Sequence, residues 1–423
     1  MKGKFRLFSL WRQVHEEKRV DVSTTAAVKK HTYISRILRF SVTFVGGFVV
    51  LTGLISYVFF ATPWAMFRLY KAMELVRTQY AGTVAQKKLF DGLLSGAVAS
   101  LGDRHSTYMN AEDLAAFKQQ IGASYAGVGV VIGKNNDGAV VIQMLLDTET
   151  PSPAQQAHLR KGDCITAING VSAAQDSLET IAEKIRGPLG SKVVLTIVRD
   201  GVSRQVTLVR QNLQIKMVKG RMIPHSEVAY IRIYGFSENS ARDFTQVYAS
   251  LRKQGMKKLI LDLRNNPGGL VEEAVGVATN FVPKNSTIIS FTTTGGKQQR
   301  FKAAGTDRTL PIAVLINRQS ASASEIIAGD IQDLHLGKVF GTRSYGKGTV
   351  QNMYELSSQQ AIKLTIAKYH TSSGREIDGT GIIPDQAVPE HSQAVVDETF
   401  DAALQWLDPT YKKSGTVTAI PLD

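Results

Sequence analysis

Residues 311–351 read PIAVLINRQSASASEIIAGDIQDLHLGKVFGTRSYGKGTVQ. Ile312 to Ile316 is a short continuous apolar run, the pattern of a buried strand. Asn317, Arg318 and Gln319 supply a polar turn. Ser320-Ala321-Ser322-Ala323-Ser324-Glu325 follows, and a helical pattern then runs from Ile326 to Leu334. Small residues at a strand-to-helix turn let the backbone bend sharply and let a substrate approach closely. A serine there projects its hydroxyl into a cleft beside the unpaired amides of a helix N-terminus. Lys347 comes 25 residues after Ser322, between Gly346 and Gly348.

SASASE followed by GKGTVQ resembles the carboxyl-terminal processing proteases, also called tail-specific proteases. These are serine peptidases that use a Ser–Lys dyad. The resemblance implies Ser322 as nucleophile, Lys347 as general base and Gln351 as the residue that orients the pair. The chemistry is coherent with those residue types. A serine hydroxyl is a poor nucleophile until a base takes its proton. A lysine does so only when neutral, and its ordinary pKa of about 10.4 must be lowered by burial. Gly346 and Gly348 remove side-chain bulk around Lys347, and Val350 is an apolar neighbour that can desolvate it.

A second stretch with the same resemblance is LILDLRNNPGGL, Leu259 to Leu270. Leu259 to Leu263 reads as a buried strand, Asn265 to Gly269 as a tight turn, and Leu270 to Phe281 as a helix. The resemblance implies that the amides of Gly268 and Ala323 form the oxyanion hole, where preorganised donors stabilise the charge that acyl transfer builds on the carbonyl oxygen. Asp262 and Arg264 read as a structural pair. Upstream, VAYIRIYGF is a strand and turn, and Ser237 or Asn239 starts an amphipathic helix reaching about Lys253. A third family-like stretch, Ala361 to Gln386, supplies a strand, a polar turn and GxGIxPD, with His370 and Thr371 expected to shape the wall of the site. Asp397 to Leu407 reads as a helix.

The chain has 423 residues, enough for more than one domain, and 43% hydrophobic residues, enough for sizeable cores. The formal net charge is +14, and half of it lies in residues 1–39, which carry ten Lys/Arg against three acidic residues. That clustering speaks against a nucleic-acid surface on the folded part. The single Cys164 excludes an internal disulfide and says little about compartment, since many bacterial exported proteins lack disulfides. Phe40 to Ala61 has no charged residue in 22. As a helix it spans about 33 Å, enough to cross a bilayer core. The expectation is a retained single-span anchor, with the basic tail held in the cytoplasm and everything after Thr62 outside.

Phe67 to Leu101 reads helical. LGDRHSTYM follows, then a helix from Ala111 to Ile121 capped by Asn110. Arg104 and His105 depart from the family's LGDPYSTYL, and His105 reads as a local structural residue. From Tyr125 to about Arg210 the chain looks like a PDZ domain: YAGVGVVIG, AVVIQML, LRKGDCITAINGV, a helical stretch from Leu178 to Ile185, and KVVLTIVRDG. The loop Gly127, Val128, Gly129 and Val130 is the expected substrate-binding element, its amides free to hold a terminal carboxylate while the adjacent strand edge accepts an extended peptide. In the family this domain binds substrate tails and gates the active site. Arg186 has two readings, a latch between peptide binding and the catalytic side or a solvated arginine.

Two other signals fail on context. Gly127, Gly129 and Gly133 give GxGxxxG leading to another strand, not the dinucleotide fingerprint. Gly341 to Lys347 has the GxxxxGK spacing of a phosphate-binding loop, but Gly348 stands where a Mg²⁺-ligating Ser or Thr is needed, and a strand pattern follows. His225, His335, His370 and His391 lack metal-ligand spacing, so no metal or other cofactor is expected.

The expected fold class is α/β (α+β) and multidomain. It comprises a basic tail (1–39), a transmembrane helix (40–61), an N-terminal helical segment (62–122), a PDZ domain (123–212), a protease core of the crotonase and Clp-protease type (213–410) and a short tail (411–423). The expected function is a membrane-anchored, extracytoplasmic serine endopeptidase that engages apolar C-terminal tails of proteins. The alternative is a membrane-tethered PDZ scaffold with an inactive core; intact Ser322, Lys347 and Gln351 argue against it. Homo-oligomerisation is left open by the sequence.

Overall fold

The computed structural model describes residues 42–55, 57–58, 64–135, 137–293, 295–305, 310–389 and 397–411. The basic tail and most of the last residues lie outside that set. The expected membrane span falls on it only in part. Residues 42–55 (α1) are helical, as are 57–58, and among the described residues no helix is long and apolar enough to cross a membrane. The helix expected over Phe67 to Leu101 is two helices, α2 (Ala65–Gln79) and α3 (Gln86–Ala99), separated by a break that contains Gly82. Contacts divide the chain at Leu93, and all that follows concerns the second unit, from Leu94 onward.

That unit opens with β1 (Thr107–Met109) and α4 (Ala111–Ile121). Asn110 caps α4 as its side chain accepts from the amides of Glu112 and Asp113 at 2.8 and 3.1 Å, which satisfies two of the helix's orphan donors. Next, β2 (Ser124–Gly127) pairs with β9 (Gln211–Gln214). Between them lies an antiparallel sheet of β3 (Val130–Lys134), β4 (Val140–Leu145), β5 (Cys164–Ile168), β7 (Lys192–Arg199) and β8 (Val202–Val209), with β6 (Val171–Ser172) on β5. Two helices belong to it, α5 (Pro153–Gln156) and α6 (Leu178–Ile185). It has its own core, with Ile142, Ile181, Val193, Leu195 and Ile197 fully buried. Arg210 closes the end of α6 by donating to the carbonyls of Lys184 and Ile185.

The remaining chain builds two sheets. The first has strand order β10-β11-β12-β15-β16-β19: β10 (Val218–Met222), β11 (Val228–Ile233), β12 (Lys258–Asp262), β15 (Ile312–Ile316), β16 (Gly337–Gly341) and β19 (Gln386–Ala387). It is parallel from β11 onward, while β10 runs antiparallel to β11. Parallel strands covered on both faces read as unbroken apolar runs, and β15 is buried at every position. Its side chains alternate between faces. Ile312, Val314 and Ile316 pack with Leu259, Leu261 and Leu263 of the β12 stretch beneath α7 (Ser240–Lys253), α8 (Val271–Ala278) and α9 (Ala323–Asp333). Ala313 and Leu315 face the opposite way, toward Phe400, Ala403 and Leu404 of α10 (Glu398–Leu407).

The second sheet is antiparallel, with order β1-β18-β13-β14 and β17 also on β18. It comprises β13 (Thr287–Thr293), β14 (Gln298–Lys302), β17 (Thr349–Ser357) and β18 (Gln360–His370). Thus β18 receives both the N-terminal segment, through β1, and the strand that leaves Lys347, through β17.

The start of α7 falls where the sequence places it, with a different cap, and the start of α9 differs. Asn239 is the N-cap of α7, but its own side chain makes no cap bond. Glu273 of α8 does the capping, accepting from the amides of Asn239 and Ala241 at 3.2 and 2.7 Å. Helix α9 begins at Ala323 rather than Ile326. Phe244 of α7 is fully buried between Tyr248 and Phe281. Phe244→Ala is expected to lower unfolding stability by about 3–5 kcal/mol through the cavity it leaves, read as a fall in the urea midpoint.

Candidate active site

Strands β12 and β15 lie side by side, so the turns that leave their C-terminal ends meet. Asparagines lock the two turns together. Asn317 Oδ1 accepts from the Asn265 amide at 3.0 Å, and Asn317 Nδ2 donates to Asn265 Oδ1 at 2.7 Å. Ser320 Oγ donates to the Leu263 carbonyl, and Ser324 Oγ to the Asn266 carbonyl. Asn266, fully buried, donates to the Ile233 carbonyl of the next strand. Ser320 and Ser324, which flank Ser322 in the SASAS repeat, are therefore structural bolts.

Ser322 stands at the apex with φ 54° and ψ −113°. That conformation is costly for a residue with a side chain, about 1–3 kcal/mol, and persists only where the surroundings over-determine it. Here the surroundings are tight. The Ser322 amide donates to Glu325 Oε2 at 2.7 Å, and its carbonyl accepts from the buried Tyr369 hydroxyl at 3.2 Å. Burial, with Glu325 next in effect, pushes the Tyr369 hydroxyl far up from its ordinary pKa, so it remains a donor.

Gly268, with φ +95°, lies against this apex. A Cβ added there would stand 2.6 Å from the Ala321 carbonyl oxygen, 2.9 Å from Ser322 Cβ and 3.0 Å from the Ala323 nitrogen. Only glycine fits. The Ala323 amide has no acceptor among the described residues, whereas the Gly268 amide donates to Asn266 Oδ1 at 2.9 Å. Of the two donors expected for an oxyanion, one is free and the other is engaged within its own turn.

Lys347 reaches the same place from the loop after β16. Its flanking glycines do more than remove bulk. A Cβ on Gly346 would stand 2.9 Å from the Gly381 nitrogen, and one on Gly348 would stand 2.6 Å from the Asp378 nitrogen. The loop can lie flat on the Asp378–Gly381 backbone only because both are glycine. Lys347 is half-buried, and its amine is held below the ordinary lysine pKa first by burial and then by the Lys363 ammonium, against the opposing pull of Glu325 and Asp103. No hydrogen bond joins Lys347 Nζ to Ser322 Oγ among the described residues. Gln351 donates to Thr349 Oγ1 at 2.8 Å and more weakly to Thr365 Oγ1. A register shift between Val350 and Gln351 on β18 aims that side chain along the strand pair.

The residue that ties these parts together is Glu325, which sequence reasoning quoted but gave no role. It is fully buried. Oε2 accepts from the amides of Ser322 and Lys347, at 2.7 and 2.9 Å; Oε1 accepts from the Ser344 hydroxyl and the Gly346 amide, at 2.6 and 2.7 Å. One carboxylate thus fixes the backbone of the serine apex and of the lysine loop. The signal in the sequence was its position three residues after Ser322, the N3 site of a helix, where acidic side chains reach back to the N-cap amide.

The other expected residues fall as follows. Arg264 donates to Asp262 and Asp397, and Tyr230 donates to Asp262 at 2.7 Å, so the acidic and basic residues of LDLR form the expected structural pair with Asp397 as a third member. Thr371 donates to Asp333 at the end of α9 and packs on Gly329 of that helix. His105 accepts from Arg104 Nε at 3.2 Å. Its turn is fastened to β18 by Ser106 Oγ, which accepts from the Thr365 amide. Its imidazole is lowered from its ordinary pKa by burial and then by the Lys347 charge. Gly127, Val128, Gly129 and Val130 line one end of a groove of about 1060 Å³ whose far wall includes Leu178, Ala182 and Ile185 of α6.

Glu325→Ala removes the shared acceptor and leaves buried amides unpaired, each costing about 1–3 kcal/mol. It is expected to cut kcat/KM for a peptide substrate by about 100-fold or more, equivalent to about 2.7 kcal/mol of barrier, while Glu325→Gln, which keeps the shape and one acceptor oxygen, loses less. Steady-state hydrolysis with urea denaturation of each variant checks both.

Residues 227–388 match peptidase family S41, residues 149–199 match a PDZ domain, and residues 62–113 match the N-terminal domain of the activating protease CtpB. The chain is similar to a carboxy-terminal-processing protease of Bartonella bacilliformis, with 34% identity over 83% of each chain. It is also 33% identical to the carboxy-terminal processing protease CtpA of Bacillus subtilis, covering 84% of this chain and 74% of that one. A solved structure with the same fold, at TM-score 0.52 and 17% identity over 78% of this chain and 93% of the other, is a putative S41 protease from Bacteroides fragilis. The strand-to-helix turn at Ser322, the glycine-flanked lysine and the inserted PDZ domain therefore have one common explanation: the chain belongs to the carboxy-terminal processing proteases, serine-type peptidases of family S41.

Proposed function

We propose that this protease cleaves proteins by a Ser322–Lys347 dyad, after its PDZ domain has engaged their apolar C-terminal tails, and that residues 40–61 anchor it in the cell membrane with the N-terminus cytoplasmic and the catalytic domain outside. The observation that carries the dyad is the Glu325 carboxylate, which accepts from the amides of both residues and so holds their backbones to one centre. The anchor rests on the charge-free run and the basic residues before it.

In this reading neutral Lys347 takes the Ser322 hydroxyl proton as Oγ adds to the scissile carbonyl. The Ala323 amide, and the Gly268 amide once turned from Asn266, receive the oxyanion. Protonated Lys347 then passes its proton to the departing amine, which leaves the acyl group on Ser322. Water attacks that ester with Lys347 again as base, and the new C-terminus is released. Here the two sites are complementary: the apolar groove beside α6 selects the tail, and the serine apex performs the chemistry.

The test is hydrolysis of an unstructured protein with an apolar tail. Ser322→Ala and Lys347→Ala are each expected to abolish it with folding intact; residual activity equal to wild type in either variant overturns the dyad. Because the base must be neutral, kcat/KM rises with pH through the Lys347 pKa. That pKa is lowered from the ordinary lysine value, so the rising limb is expected below pH about 10.4. Lys363→Ala removes a cation that depresses it, and is expected to move the limb to higher pH, measured as the pH profile of kcat/KM.

A further inference from the structure

Tyr125 sits on β2 at the entrance of the glycine loop, and its ring lies flat against the loop backbone. A Cβ on Gly127 would stand 2.3 Å from a ring carbon. The phenol hydroxyl at the far end of that ring is shielded from solvent and has no hydrogen-bond partner among the described residues. An unmatched buried hydroxyl costs about 1–3 kcal/mol, so it marks a place where a partner is missing.

The carbonyls of Val128 and Gly129 are engaged, accepting from the amides of Ala154 and Leu146 at 2.9 Å each; the Val128 amide has no acceptor among the described residues, and the Gly129 amide is turned to the Tyr125 phenol oxygen. The Tyr125 hydroxyl and the Val128 and Gly129 amides therefore gather in the groove between β3 and α6, where Val130, Ile132, Leu178 and Ile185 supply apolar lining, and a carboxylate arriving there takes over the Gly129 amide from the phenol oxygen. A carboxylate has about four lone-pair sites on two oxygens, enough to receive all three.

We propose that Tyr125 is a specificity-determining residue for substrate tails, its hydroxyl donating a third hydrogen bond to the terminal carboxylate held by the Val128 and Gly129 amides. The inference rests on the tail-binding reading of the PDZ domain and adds to it a side-chain donor at a position where phenylalanine would fill the same space. Burial pushes the Tyr125 hydroxyl up to about 12, so it keeps its proton and stays a donor near neutrality. The Gly129 amide and Arg186 pull the other way, as groups close to the phenol oxygen do, and Arg186 adds a cation beside the bound anion.

The experiment uses the full chain in a Ser322→Ala background, so that nothing is cut. Fluorescence anisotropy compares a labelled decapeptide ending in two valines with the same peptide as its C-terminal amide. Wild type is expected to prefer the free acid. Tyr125→Phe is expected to weaken the free acid about tenfold, in line with the loss of a hydrogen bond to a charged group, and to leave the amide unchanged. Incorporating 4-aminophenylalanine at position 125, which restores a donor, is expected to recover the preference. Unchanged free-acid affinity in Tyr125→Phe, with the acid-over-amide preference kept, overturns the role of Tyr125 and leaves tail binding standing. Equal weakening of both peptides that 4-aminophenylalanine does not repair makes Tyr125 a packing residue and overturns it too. Absence of any acid preference in wild type overturns the tail-binding reading itself.

Discussion

A fully buried carboxylate must be matched by donors, and Glu325 is matched by four. That requirement organises the catalytic half of the molecule. The acceptors are on one side chain, whereas the donors come from the serine apex, from Ser344 and from the two residues that begin the lysine loop. If either segment moves, a charged group loses partners in a low-dielectric interior, which is far costlier than losing a surface contact. The positive φ of Ser322 and the flat lysine loop are thus held by the same atoms. Beneath them, the asparagine and serine bonds between the β12 and β15 turns tie the apex to the sheet.

The groups proposed to react here are bonded to their own segments rather than to one another. Ser322 and Lys347 share Glu325 but not a hydrogen bond with each other, Gly268 is turned to Asn266, and Gln351 is bonded along its own strand pair. The Asp103–Ser106 turn is fastened to β18, the strand that also pairs with β17. Movement of β18 would reach the lysine, the glutamine and the N-terminal segment together.

The strand β15 was legible to the residue, because a parallel strand covered on both faces leaves an unbroken apolar run. The Ser322 apex was legible through its small residues, and Asn110 through its capping spacing. The start of α9 was not, since Ala and Ser in alternation carry no apolar period. The role of Glu325 was hidden because its partners Ser344, Gly346 and Lys347 are distant in sequence, and an acidic residue in a first helical turn usually caps in solvent. Gln351 is implied by resemblance alone, and its bonds to Thr349 and Thr365 depend on a strand register that leaves no mark in composition. In Phe67 to Leu101 the helical period was read correctly, but the break near Gly82 was missed.

The glycine pair around Lys347 has a consequence for the order in which the enzyme is made. Gly346 and Gly348 exist to lie on the backbone of Asp378 to Gly381, about thirty residues further along the chain. Asp397, which clamps Arg264 below the apex, comes later still. A chain emerging N-terminus first presents Ser322 and Lys347 before it has the floor on which the lysine loop rests. The loop that carries Lys347 therefore takes its place only after Asp378 to Gly381 have followed it, so the serine turn can form before the lysine beside it is seated.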